Sequence, residues 1–192
     1  MTRAKASPER LRTFSDAVFA VLITILVLEL RPPEVPTVSG LLSLWPTGLS
    51  YAVSYVFIAV VWINHHYLMR YAAEATPRLI WVNFAHLFSV SLLPFSTAWM
   101  AASKLASLPV AFYAAIFFLV NATYLALCWE LLDRVPVKDV PPKARRAMRV
   151  RSIATLCRFA VAAFVALNYP LAGLGICCFC LIVYLKPDAA EI

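Results

Sequence analysis

The chain has 192 residues, of which 62% are hydrophobic and only 14% charged, with a mean hydropathy of +0.79. A water-soluble domain of that composition lacks the polar surface to cover itself, so a soluble fold is excluded and a polytopic membrane protein is expected. The formal charge of +7 is explained more simply by which connections face the membrane surface than by a nucleic-acid partner, and none is expected.

Apolar runs of about twenty residues, the length a helix needs to cross roughly 30 Å of hydrocarbon, predict an all-α fold with six spans in one transmembrane domain over residues 1–192. The first runs from Thr13 to Leu30, with Arg10 and Asp16 at its start. It begins too late and continues too far for a secretory signal, so it is expected to be retained. Pro32 and Pro33, which lack amide donors, close it. The second span is Thr47 to Met69 and closes on Trp62, Ile63, Asn64, His65 and His66. The third, Leu79 to Ala102, has Asn83 and His86 near its start and Pro94 in its middle, where a kink is expected; Ser91 is placed to satisfy the carbonyl that Pro94 leaves free. The fourth is Pro109 to Leu132. The connection from Asp133 to Ser152 is too short for a soluble domain, and it concentrates Arg145, Arg146, Arg149 and Arg151 beside the fifth span, Ile153 to Asn168. Asn168, Tyr169 and Pro170 then force a tight hairpin into the sixth, Pro170 to Leu185.

Of the 17 Lys and Arg residues, Arg31 and Lys104 lie in the first and third connections and none in the fifth, while nearly all the others lie at the termini or in the second and fourth. This asymmetry places both termini in the cytoplasm of a cell-membrane protein, with the arginine cluster against anionic lipid headgroups. The five cysteines, Cys128, Cys157, Cys177, Cys178 and Cys180, all fall in apolar runs and read as buried small hydrophobes. Cys177 and Cys180 share a helical face but offer too few ligands for a metal. No phosphate loop, hydrolase elbow, zincin or carbonyl-filter motif occurs, so neither a cofactor nor an enzyme is expected.

Polar groups inside hydrocarbon are costly and need partners or an aqueous cavity. Those present cluster: Asp16 on span one, Asn64, His65 and His66 on span two, and Asn83 and His86 on span three fall within one or two turns of one depth. They form a candidate belt in which imidazoles and amides donate to the Asp16 carboxylate, with Arg10 acting from the interface. Three roles fit it: adhesion between helices or subunits, a proton relay or pH-sensitive latch, and a catalytic or metal site. The last is disfavoured because adjacent His65 and His66 point some 100° apart.

Three motifs then give a resemblance. Arg10, Phe14, Ser15 and Asp16 spell R-x-x-x-F-S-D at the start of a membrane helix; Trp62, Asn64, His65 and His66 close the second span; Asn83 and then Leu93-Pro94-Phe95-Ser96-Thr97 follow in the third. In this order the chain resembles the endosomal and lysosomal potassium channel family, in its bacterial single-repeat branch, over roughly Arg10 to Trp99. The resemblance implies a homotetramer of six-helix subunits. Four copies of the first helix would line a central potassium pathway, with side chains at Val21, Thr24 and Leu28 as constriction. Val21 is smaller than the usual Ile or Leu there, which widens the opening. Independently, steps of three and four keep Val21, Thr24 and Leu28 on one face with Ala17 below them. A ring of Val21 or Leu28 gates by dewetting, and Thr24 offers the only side-chain oxygens.

Other readings accompany these. Thr24 is expected to bond back to the Ala20 carbonyl if it lines no pore. Glu29 and Arg31 are expected to form an ion pair, and Trp45, Trp62, Trp81 and Trp99 to anchor helices at the interfaces. The functional expectation is a passive channel permeable to potassium and other monovalent cations. The alternative is a proton-coupled secondary transporter working through Asp16, His66 and His86, although no inverted repeat or pair of broken helices marks one.

Overall fold

The computed structural model describes residues 7–133 and 140–184. The end of the sixth predicted span at Leu185 and most of the basic residues of both termini lie outside the described residues. Among the described residues there are eight helices and no strand: α1 (Pro8–Leu28), α2 (Val38–Ser43), α3 (Trp45–Met69), α4 (Pro77–Ser91), α5 (Leu93–Ala102), α6 (Ser107–Leu132), α7 (Pro142–Ala166) and α8 (Pro170–Tyr184).

Four units are long and apolar enough to cross a membrane: α1, α3, the α4–α5 pair and α6. The fifth predicted span differs from expectation, while the sixth is described as helix from Pro170 to Tyr184, where the described residues end. α7 is 25 residues long but starts at Pro142, eleven residues before the apolar run, so its first half is basic. Proline at the first position needs no amide partner, and the Lys, Ala, Arg and Met that follow are good helix formers, so helix extends through a segment that hydropathy discards. The same effect starts α1 at Pro8 rather than Thr13. α8 has 15 residues, about 22 Å. Its close approach to α7 is fixed by Gly173, where a Cβ would fall 2.5 Å from that of Ala166.

The predicted kink in the third span falls at Leu92, a single residue of turn with right-handed helical dihedrals (φ −80°, ψ −12°) between α4 and α5, with Pro94 in the first turn of α5. Ser91 does not satisfy the carbonyl freed by Pro94; its hydroxyl donates to Phe88 O at 2.7 Å, the carbonyl one turn back that a helical serine reaches most easily. Between α5 and α6 the chain reverses through Lys104 (φ 52°) and Leu105 (φ 62°). Two non-glycine residues in the left-handed region cost about 1–2 kcal/mol each. Burial of Leu105 in the core and the bond from its amide to Met100 O at 3.0 Å offset that strain.

The core has two centres. In the larger, Phe57 of α3 stacks on Phe117 of α6 at 3.6 Å, and Phe159 of α7 meets both edge-on at 6.1 and 5.4 Å. Nearby, the Ser54 hydroxyl lies 2.7 Å from both Thr97 Oγ1 and Tyr113 Oη, tying α3 to α5 and α6. The smaller centre gathers Leu11, Leu68, Met69, Leu79, Leu131 and Met148. Arginines close it. Arg145 donates to Leu132 O and Val140 O, Arg149 pairs with Asp133, and Arg78 reaches Glu130 at 2.9 Å. Arg145 and Arg149, expected at lipid headgroups, are thus engaged at the C-terminal end of α6, where free carbonyls attract cations. Not all cysteines are buried either: Cys157 is exposed on α7.

Candidate functional site

α1 has two unlike faces. Leu11, Ser15, Phe19, Leu22 and Leu26, spaced by four, four, three and four, form its buried stripe. Val21, Thr24 and Leu28 lie on the other side with Ala17, exposed; Val21 is 54% and Leu28 76% accessible. Of the four long units, α1 is the least covered, with 28% of its apolar window buried against 44–56% for the others. The Thr24 hydroxyl donates to Val21 O at 2.7 Å, not to Ala20 as expected. A helical threonine can use either carbonyl, and the choice leaves the oxygen lone pairs on the exposed face.

The buried face carries the polar belt, arranged differently from the sequence reading. Ser15 Oγ donates to Leu11 O at 2.9 Å and accepts from Asn83 Nδ2 at 3.0 Å. Asn83 Oδ1 stands 2.8 Å from His65 Nε2. Because the amide oxygen can only accept, His65 must hold its proton on Nε2, and its Nδ1 is left buried without a partner. The His86 ring lies parallel to that of His65, with centroids 5.6 Å apart and planes 7° apart. His86 Nδ1 is 3.0 Å from Thr123 Oγ1, a hydroxyl that also lies 2.9 Å from Val120 O, 3.1 Å from Leu119 O and 2.9 Å from Ser89 Oγ, and His86 Nε2 is also buried without a partner. The chain of contacts joins α1, α4, α3 and α6, with Phe19 packed beside both imidazoles.

Asp16 is not the hub. One residue beyond Ser15 and so about 100° around the helix, it leaves the buried face and accepts from Trp62 Nε1 at 2.8 Å. Among the described residues no imidazole or side-chain amide donates to it. His66 likewise turns away from His65 and stands 5.5 Å from the Trp62 ring, while Asn64 donates to its own helix at Val60 O, 2.9 Å away. Phe14 packs on Phe84 at 5.4 Å. Arg10 is exposed; the arginine that ties α1 to its neighbour is Arg12, which donates to Met69 O at 2.9 Å and Arg70 O at 3.3 Å. Glu29 and Arg31 form no ion pair with each other among the described residues; both line a crevice with Tyr51 and Thr97.

The sequence reading therefore missed Arg12, Thr123 and the role of Trp62 as a donor. Arg12 stands three residues before Ser15 and shares its face, a signal that periodicity carried. Thr123 is one hydroxyl in a long apolar helix and announced nothing. Among the described residues no group of three or more His, Cys, Asp or Glu is placed to hold a metal.

Comparison with known proteins bears on this arrangement. A family model described as "Endosomal/lysosomal potassium channel TMEM175" matches residues 10–94, the stretch from the first turn of α1 through α2 and α3 to the end of α4. A potassium channel of Streptomyces collinus is 31% identical, the match covering 74% of each chain. One from a Chryseobacterium strain is 28% identical over 93% of each. The crystal structure of a lysosomal potassium-selective channel TMEM175 homolog from Chamaesiphon minutus superposes with a TM-score of 0.83 at 28% identity, covering 93% of this chain and 96% of that one. More distant vertebrate relatives, 30–31% identical over 46–47% of this chain and about a fifth of their own length, are named proton channels.

Proposed function

Because the chain belongs to the TMEM175 family of endosomal/lysosomal potassium channels, we propose that this multi-pass membrane protein conducts potassium passively through a pore lined by four copies of α1. The observation that carries the reading is the exposed stripe of Val21, Thr24 and Leu28, set opposite a buried stripe that fixes the helix to its own subunit. A helix held on one side and bare on the other is suited to facing an axis. Four Val21 or Leu28 side chains around that axis make a ring that excludes water when narrow and wets when widened. Thr24, between them, supplies the side-chain oxygens that a partly dehydrated cation meets, since its proton is committed to the Val21 carbonyl. The contacts of Ser15 with Asn83 and of Asp16 with Trp62 then serve to hold the stripe in rotational register, which sets the width of both rings.

In this reading α7 and α8 complete a six-helix subunit, both termini face the cytoplasm, the protein sits in the cell membrane as a homotetramer, and no cofactor or enzymatic chemistry is involved. The test is the zero-current potential of purified protein in a planar bilayer, with potassium on one side and sodium on the other. Wild type is expected to shift toward the potassium equilibrium potential and Thr24→Ala to weaken the shift. If Val21→Ala, Thr24→Ala and Leu28→Ala all leave selectivity and conductance unchanged, the stripe is not the constriction.

A second reading, a proton-coupled carrier, has one observation in its favour: the stacked His65 and His86 each keep a buried ring nitrogen without a partner. Saturable potassium flux driven by an imposed proton gradient, and lost in His86→Gln, would establish it over the channel.

A further inference from the structure

Asn121 sits in the apolar middle of α6, and neither the aromatic core nor the pore stripe uses it. It is only 8% accessible, yet among the described residues no group donates to its carboxamide or accepts from it. A carboxamide carries two protons and two lone pairs, and leaving them unmet inside a membrane bundle is costly. The side chain borders a cavity walled by four helices, with Val60, Val61 and Asn64 of α3, Tyr124 of α6, Phe159 of α7 and Leu181 of α8. Asn64 is equally buried, at 7%. Its Nδ2 donates to Val60 O at 2.9 Å, and among the described residues its carbonyl oxygen has no donor.

Size and polarity together select the occupant. The cavity measures about 30 Å³. A water needs roughly 10–15 Å³ of such space, whereas a cavity that binds benzene measures about 150 Å³, so two waters fit and an acyl chain or aromatic guest does not. A cavity of this kind lined by Leu, Ile and Phe alone stays dry. This one presents two buried carboxamides, which supply the two to four hydrogen bonds that an internal water requires.

We propose that this cavity is an internal hydration site, in which about two ordered waters hydrogen-bond the Asn121 carboxamide and the Asn64 carbonyl oxygen and so bridge α6 to α3. The bridge stands two turns along α3 from the Phe57 stack, on the segment that also carries Trp62 and His65. It lies within one subunit and does not depend on what the pore conducts.

The test is a crystal structure of the wild-type protein at a resolution that shows ordered water, joined to thermal midpoints in detergent. Compact density within hydrogen-bond distance of both Asn121 and Asn64 is expected. An empty cavity, an Asn121 turned onto a protein partner, or the elongated density of a detergent or lipid chain overturns the proposal. Asn121→Leu keeps the branching of the side chain but holds no water, and should lower the midpoint by about 3 °C. A midpoint that stays put or rises means that a dry void has been filled, and the hydration site is then wrong. Asn64→Leu should lower the midpoint as well, and the double variant by less than the sum, because both changes break one bridge. Strictly additive losses would sink the bridge.

Discussion

α1 and α6 are nearly indistinguishable by hydropathy, at 2.0 and 1.9 over their best windows, yet 56% of the α6 window is buried and 28% of the α1 window. α6 packs against α3, α4, α5, α7 and α8: Phe117 stacks on Phe57, Tyr113 bonds Ser54, Thr123 bonds His86. α1 is secured by one buried stripe and a few contacts beside it, Phe14 with Phe84 and Asp16 with Trp62. In a membrane, where lipid is as apolar as leucine, hydrophobicity does not say which helix is central. What separates the two is where polar side chains find partners. The helix left half bare is the one near whose start the family match begins, at residue 10.

The contrast can be broken hardest in α6. Phe117→Ala removes the ring that contacts Phe57, Tyr113 and Phe159 and should destabilise the subunit by about 3 kcal/mol, seen as a lowered thermal midpoint in detergent. Asn83→Ala comes next. It strips Ser15 and His65 of their partner at once, with an expected loss of about 2 kcal/mol and a fall in channel open probability, because α1 loses its rotational tether. Trp62→Phe keeps the ring but leaves Asp16 without its donor; about 1.5 kcal/mol is expected, with rescue absent in Trp62→Leu. Leu28→Ala is the smallest in stability, within about 0.5 kcal/mol for an exposed position, yet should raise single-channel conductance. An α1 substitution on the exposed stripe that unfolds the subunit while leaving conductance alone would invert the comparison.

Much of the fold was legible. The first four spans follow from apolar runs because those helices are apolar along their length, and the break in the third follows from Pro94. α7 was half legible: its basic first half is helical for local reasons that a hydropathy window discards. α2 was not anticipated, being six residues capped by Thr37 through Gly40 N at 3.1 Å. At the site, depth alone gathered Asp16, Asn64, His65, His66, Asn83 and His86 into one layer, but depth carries no azimuth. Ser15 and Asp16 differ by one residue and face different neighbours, as do His65 and His66. The tie from His86 to Thr123 required knowing which helix packs behind α4, which no local pattern encodes.

The interruption at Leu92 has a mechanical meaning. α4 and α5 together cross the bundle, but the amide-to-carbonyl ladder lapses between them, so the pair resists stretch while twisting and bending more readily than an unbroken rod. One segment is clamped to α1 through Asn83, the other to α3 through Thr97 and Ser54. The joint therefore lies between the two clamps, and its angle sets how the α1 side of the bundle is held relative to the α3 side.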